Sequence, residues 1–230
     1  MDWAPLWTSL ITAIPATMIT FVLGIFAAHK VVKSDRGIRR VADVILTLPL
    51  VLPPTVAGFI LLMLLGKHGF LGAFLTKVGI KIIFTRSAII VASVVISFPL
   101  MYRSAKAAFE QVDRNLIYAG RTLGMSEGKI FWRIIMPLAL PGVGTGGILA
   151  LARAFGEFGA TLMLAGNIPK LTQTMPLAIY TAIQAGNRKE AAILCGILIV
   201  ISFFMIFFMN YFAVSHHYRE RERRKHESKG

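Results

Sequence analysis

Few side chains in this sequence could do chemistry in an apolar setting, and two of them stand four residues apart. Arg153 and Glu157 both lie inside the apolar run 134–158. A charge near the centre of a bilayer costs about 2.5–3.5 kcal/mol on insertion scales, so such a residue calls for a partner or a task. At i,i+4 on a helix the two charges meet and could neutralise each other. Alternatively, Arg153 could offer a positive site to an anion, with Glu157 keeping that site weak enough to release it. The five histidines, His29, His68, His216, His217 and His226, fall at the edges of apolar runs or in the polar tail. They read as interfacial or solvated rings rather than metal ligands. Gly142-Val143-Gly144-Thr145-Gly146-Gly147 has the G-x-G-x-x-G spelling, but it follows Pro141 and enters an apolar run. The dinucleotide motif instead follows a strand and opens a helix. No phosphate-binding G-x-x-x-x-G-K-[ST], H-E-x-x-H or C-x-x-C occurs. The expectation is a chain with no catalytic residue, cofactor or metal of its own.

The surrounding elements explain why so little chemistry is present. Of 230 residues 56% are hydrophobic and only 16% charged, against about 25% charged in ordinary soluble chains. The apolar residues gather in five runs, roughly 7–28, 42–65, 87–108, 134–158 and 191–214. A hydrocarbon core of about 30 Å needs about 20 apolar residues as helix. The fold class expected is therefore an all-α membrane protein with about five spans, forming one transmembrane domain over 1–230.

The net charge of +14 does not point to nucleic acid, because its placement follows the spans. Seventeen of the 25 Lys and Arg residues fall in the loop after the first run, the loop after the third and the tail Arg219–Gly230. Seven fall in the alternate connections, and the last is Arg153. Positive loops face the cytoplasm, which predicts the N-terminus outside and the C-terminus inside. The first run lacks a preceding positive charge and is followed by a positive cluster, so it reads as a retained span rather than a signal peptide. The tail reads as a positive-inside anchor. Cys195, the single cysteine, excludes an intrachain disulfide and reports nothing on redox compartment.

Two spans have unusual compositions. The second carries Pro49, Pro53, Pro54 and Thr55 within Leu48–Gly58. Each proline removes a backbone donor, and freed carbonyls at membrane depth are tolerated where they pack in protein or line a wet cavity. Either a structural kink or a kinked helix lining a pathway fits. The fourth run holds Gly142, Gly144, Gly146 and Gly147, and the Gly142–Gly146 spacing allows close approach of another helix. That helix could belong to this chain or to a second copy. In the outer connection, 176–184 could form a short interfacial helix.

Between the third and fourth runs the sequence specifies a helix, a glycine and a second helix over 113–133. Asp113 is placed to cap the first helix. Leu116, Ala119, Gly120 and Leu123 fall on one of its faces. Gly124 stands where a left-handed residue ends a helix, and Ser126 can cap the next, which runs up to Pro137. Such short helices could dock into a groove on a partner, or rest on lipid headgroups.

This stretch resembles the cytoplasmic motif of ABC-importer permeases, E-A-A-x3-G-x9-I-x-L-P. Gly124, Ile134 and Pro137 match in type and spacing, while Tyr118, Gly120 and Met136 replace the family's Glu, Ala and Leu. Glu190–Gly196 spells E-A-A-x3-G literally, but it begins on the outer side and runs into the fifth span, where a cytosolic partner cannot reach. Four further stretches are similar to the molybdate-type permeases of that family: Leu48–Gly58, Ser97–Met101, Ala152–Thr161 and Asn167–Gln184, the last departing at Lys170, where glycine is expected after Ile-Pro. The resemblance implies a type I ABC-importer permease fold in a bacterial or archaeal cytoplasmic membrane. It implies a homodimer, two cytosolic ATPase subunits, an external oxyanion-binding protein and contact with membrane lipid. It implies coupling through Leu116, Ala119, Gly120, Leu123, Gly124 and Pro137. Candidate pathway residues are Pro49, Pro53, Pro54, Thr55, Arg153 and Glu157. The cargo expected is molybdate, with tungstate or sulfate as alternatives. An integral membrane enzyme such as a lipid-modifying transferase would need acidic or histidine clusters at depth, and only Arg153 and Glu157 lie there.

Overall fold

Long apolar helices dominate the computed structural model, which describes residues 2–67 and 69–227. His68, the side chains from residue 209 onward and with them His216, His217, His226 and the basic tail lie outside the described residues. Among the described residues every regular element is helical. Four helices are long and apolar enough to cross a membrane: α1 (Ala4–Lys33), α5 (Arg86–Glu110), the continuous helix Glu127–Phe155 and α11 (Arg188–Glu227), the last through its part up to Phe208. A fifth crossing is broken. α2 (Arg36–Val51) and α3 (Pro54–Leu65) meet at 109°. The expected single span 42–65 is thus two helices rather than one kinked helix.

The sequence Leu52-Pro53-Pro54 explains the size of this break. A residue before proline is driven out of the helical region, and here two such residues are consecutive. Leu52 and Pro53 are both extended, with ψ 137° and 135°. Pro54 then starts α3, where its missing N–H would have had no partner. Pro49 sits inside α2 without ending it.

The helix Glu127–Phe155 has three parts: α7 (Glu127–Ile130), a π turn over Phe131–Ile135 and α8 (Met136–Phe155). Pro137 has no N–H to give, and its ring would press on the carbonyl four residues back. One wide turn just before the proline relieves this, with the Met136 N–H bonding to the Phe131 carbonyl. α8 stops at Phe155, short of the expected boundary at 158. α9 (Gly159–Ala165) and α10 (Met175–Gln184) follow, α10 matching the short helix expected over 176–184.

The bundle centres on α5, which packs between α1 and α8. Small residues set these distances. A Cβ on Gly24 would come within 2.6 Å of Met101 Cγ. A Cβ on Gly142 would sit 2.7 Å from Ala108 Cβ, and one on Gly146 2.7 Å from Ser104 Cβ. The glycine seam of α8 therefore faces α5 of the same chain. Met101, Tyr102, Ala105, Phe109, Ile130 and Val143 form the core of this junction. A second cluster joins α3, α5 and α9 through Ala57, Ala92, Ile96, Ala160 and Leu164. Outward-facing Trp7, Met18 and Val22 on α1 and Ile199 and Phe203 on α11 present the apolar surface that lipid requires.

Candidate functional site: a docking helix and a broken-helix junction

The connection from α5 to α8 folds by rules that act over a few residues. Asp113 Oδ1 accepts the Asn115 N–H at 2.8 Å and starts α6 (Arg114–Thr122). At the other end Gly124 adopts φ 71°. The Met125 N–H bonds to the Gly120 carbonyl at 3.0 Å and the Gly124 N–H to the Arg121 carbonyl at 2.9 Å. These two bonds are the Schellman arrangement, which satisfies the last carbonyls of the helix. Nothing lies within 4 Å of a Cβ built on Gly124, so glycine is required there for its torsion and not for space. Ser126 Oγ then accepts the Lys129 N–H at 3.4 Å.

The face expected to carry Leu116, Ala119, Gly120 and Leu123 divides in two. Gly120 is buried, with Ile134 Cδ1 3.0 Å and Ile130 Cγ1 3.2 Å from where its Cβ would be. Leu116, Ala119 and Leu123 point outward, Leu116 at 46% and Leu123 at 79% exposure. Glycine at 120 lets α6 lie flat on the α7 end of the next helix, and this leaves an apolar ridge with no partner among the described residues. Pro137 belongs to neither face; it is exposed at the start of α8. Glu127 ties the segment down, pairing with Arg121 at 2.8 Å and with Lys33 at the end of α1 at 2.9 Å. These bonds, Arg121's first, hold the Glu127 carboxyl well below the usual carboxylate range, at about 2.

At the far end of α8 the Arg153–Glu157 pair is present and unequal. Arg153 Nη1 lies 2.6 Å from Glu157 Oε2, with the Glu157 side chain 1% exposed and that of Arg153 31%. Oε2 has no aligned donor, so this is a close ion pair rather than a directed hydrogen bond. Oε1 accepts the Ala160 N–H at 2.9 Å. Glu157 therefore does two things: it neutralises Arg153 and it satisfies the start of α9. Next to it, a Cβ on Gly159 would touch Thr55 N at 3.1 Å and Pro54 Cβ at 3.2 Å. The break in the second span thus packs on the break between α8 and α9. Of the pathway candidates, Pro54 and Thr55 meet Gly159, two residues beyond Glu157, and Arg153 pairs with Glu157. Pro53 is exposed in the break, and Pro49 is half-buried within α2.

One cluster escaped the sequence reading. Asp43 on α2 faces Tyr102 and Lys106 on α5, and Arg39 pairs with Glu110. The i,i+4 spacing of Lys106 and Glu110 was a visible signal. Asp43, 63 residues away from Lys106, was not.

Known proteins share both the sequence and the architecture. Residues 20–219 match the family described as binding-protein-dependent transport system inner membrane component. The molybdenum transport system permease protein ModB of Escherichia coli (strain K12) is 41% identical over 203 residues, covering 87% of this chain and 89% of that protein. A protein of Chlorokybus atmophyticus named "probable sulfate transport system permease protein" is 34% identical over 203 residues, 88% of this chain and 71% of its own length. In fold, a chain of a bacterial alginate ABC transporter, solved in complex with a periplasmic protein holding an alginate pentasaccharide, superposes with a TM-score of 0.73. That likeness covers 90% of this chain and 76% of the other at 16% identity.

Proposed function

Because the chain belongs to the family of binding-protein-dependent inner-membrane transport components, and is a multi-pass transport subunit rather than an enzyme, we propose that it is the permease of an ABC importer for a tetrahedral oxyanion, molybdate first. The single observation that carries this reading is the exposed apolar ridge Leu116–Ala119–Leu123 on a rigidly capped helix. A ridge of this kind buries its surface only against a partner. The partner in this reading is a cytosolic ATPase, one for each of two copies of this chain. An external binding protein delivers the anion, as the periplasmic protein in the alginate complex supports. ATP binding closes the ATPase pair, the docked α6 helices move, and the bundle exchanges inward for outward access.

The orientation proposed is N-terminus outside, resting on the seventeen-to-seven split of basic residues. Arg153, the more exposed member of its pair, is proposed to face the anion at the α3–α9 junction, with Glu157 holding it in place. The second reading is sulfate, favoured by the sulfate-named relative; tungstate shares the size and charge of molybdate. Metal-resolved uptake in cells lacking this chain, with and without its gene restored, tests the cargo. Molybdenum accumulation should depend on the chain, and equal accumulation in both strains refutes the reading. Lys129→Cys and Lys189→Cys, each with Cys195→Ser, test the orientation with an impermeant thiol reagent. Only the second should label in intact cells.

A further inference from the structure

Ion pairs hold α2 to the bundle together with the partly buried Ala42 and Leu46. None of its 16 residues is fully buried, and Val41, Val44, Ile45 and Leu48 face outward. It touches α5 and α1, and its contact with α5 includes a polar cluster. Lys106 Nζ lies 2.5 Å from Asp43 Oδ2, and the Tyr102 hydroxyl donates to Asp43 Oδ1 at 2.5 Å. Arg39 pairs with Glu110. Asp43, Thr47, Tyr102, Lys106 and Glu110 border a crevice of about 400 Å³ between the two helices.

The position of Lys106 gives the cluster two balanced arrangements. Its side chain is 16% exposed, so losing Asp43 outright would leave a poorly hydrated charge without a partner. However, Glu110 Oε1 is already 3.7 Å from the same Nζ, one turn along its own helix. If α2 moved away it would take Arg39 with it, and Glu110 would become free to receive Lys106. Asp43 and Arg39 would pass to water. Both arrangements leave Lys106 paired, as a two-state element needs. The parts on either side suit such a motion. α2 joins α3 through only Leu52 and Pro53. α5 leads through Gln111 and Val112 into the Asp113 cap of α6.

We infer that α2 and α5 form a polar latch that opens and closes during the transport cycle, Lys106 passing from Asp43 to Glu110. The inference rests on the transport reading above. Its test uses the full complex with the ATPase partner, carrying Cys195→Ser and Thr47→Cys, reconstituted in lipid nanodiscs. The rate of reaction of the new thiol with a charged thiol reagent is compared without nucleotide and after trapping with ATP and vanadate. A change of at least fivefold is expected, and equal rates overturn the latch. Should Thr47→Cys not assemble, Ala107→Cys on the opposite wall of the crevice gives the same readout. Asp43→Asn and Glu110→Gln supply a second measurement, uptake per ATP hydrolysed. Asp43→Asn should lower that ratio at least tenfold by leaving the latch open, while Glu110→Gln, which removes the partner of Arg39 in the closed arrangement and of Lys106 in the open one, should lower hydrolysis itself. Proportionate loss of uptake and hydrolysis in both would mark the cluster as structural only and overturn the inference. A complex that neither binds an ATPase nor hydrolyses ATP would refute the transport reading. Hydrolysis with unchanged labelling would refute the latch alone.

Discussion

The two ends of the helix that includes α8 are built on opposite plans. At the α7 end, the caps of the preceding α6 are built within a few residues, and its longer-range support is the packing of Gly120 and Ile117 and the Lys33–Glu127 pair. The segment is exposed and presents an unpartnered apolar ridge. At the Phe155 end, support comes from a buried carboxylate and from α3, about a hundred residues earlier in the chain. The first region is a preformed handle that can be altered without disturbing the bundle. The second exists only once α3, α8 and α9 have packed together. Substitutions at the handle should therefore affect partner docking, and those at the junction should affect folding first.

Glu157→Ala tests this contrast most strongly. It removes both the partner of Arg153 and the acceptor for the Ala160 N–H. Removing one member of a buried pair costs about 3–5 kcal/mol, and the partial exposure of Arg153 puts this site near the lower value. Thermal unfolding in detergent should drop sharply and membrane abundance should fall. Glu157→Gln keeps an acceptor oxygen but still leaves Arg153 without its counter-charge, so it should lose less than Glu157→Ala. The exchange Arg153→Glu with Glu157→Arg sharpens the point. It restores opposite charges, yet arginine has no acceptor for the start of α9, so stability should not return. Full recovery would mean that the ion pair alone matters.

Gly146→Leu comes next. Its side chain would enter the space held by Ser104 and Met101, and overpacking of this kind costs about 1–3 kcal/mol. The thermal midpoint should fall for the isolated chain, since the contact lies within it. A variant that unfolds normally but loses only self-association would contradict the intrachain seam. Gly124→Val is expected to cost about 1 kcal/mol or more, because a β-branched residue resists positive φ. Insertion and abundance should stay near normal while co-purification of the ATPase falls. Unchanged co-purification would remove the handle from the docking role.

The smallest effect belongs to Glu127→Gln. A carboxyl held at about 2 in the folded chain, against an ordinary 4.5, stabilises the fold above about pH 4.5. That contribution disappears as pH falls towards 2. The group is exposed, so the difference in thermal midpoint between wild type and variant should be slight at neutral pH. It should vanish across that window, and a difference that grows on acidification would contradict the assignment.

The same contrast explains what the sequence made legible. Asp113, Gly124 and Ser126 could be read directly, because caps and left-handed turns depend on residues three to five positions apart. The three prolines signalled a disturbed second span. The turn of 109° depends on two consecutive residues each preceding a proline. For Gly142 and Gly146 the spacing announced a close approach without naming the approaching helix. That needed the α5 register, with Ala108 and Ser104 opposite. Glu157 was legible as a partner of Arg153, whereas its bond to Ala160 depends on α8 ending at Phe155. Asp43 carried no local signal, since its partners lie on another helix.

The wide turn at Phe131–Ile135 works as a phase shifter. It holds one residue more than an α-helical turn would, and each residue advances an α-helix by about 100° around its axis. Deleting one residue there would bring the Pro137 ring back against the carbonyl four residues before it. It would also swing α7, and α6 packed on it through Gly120, by about that angle relative to the α5-facing seam of α8. The ridge of Leu116 and Leu123 would then face a different quarter of the molecule, with its own shape unchanged. A single inserted residue next to a proline thus fixes the direction in which the chain presents its handle.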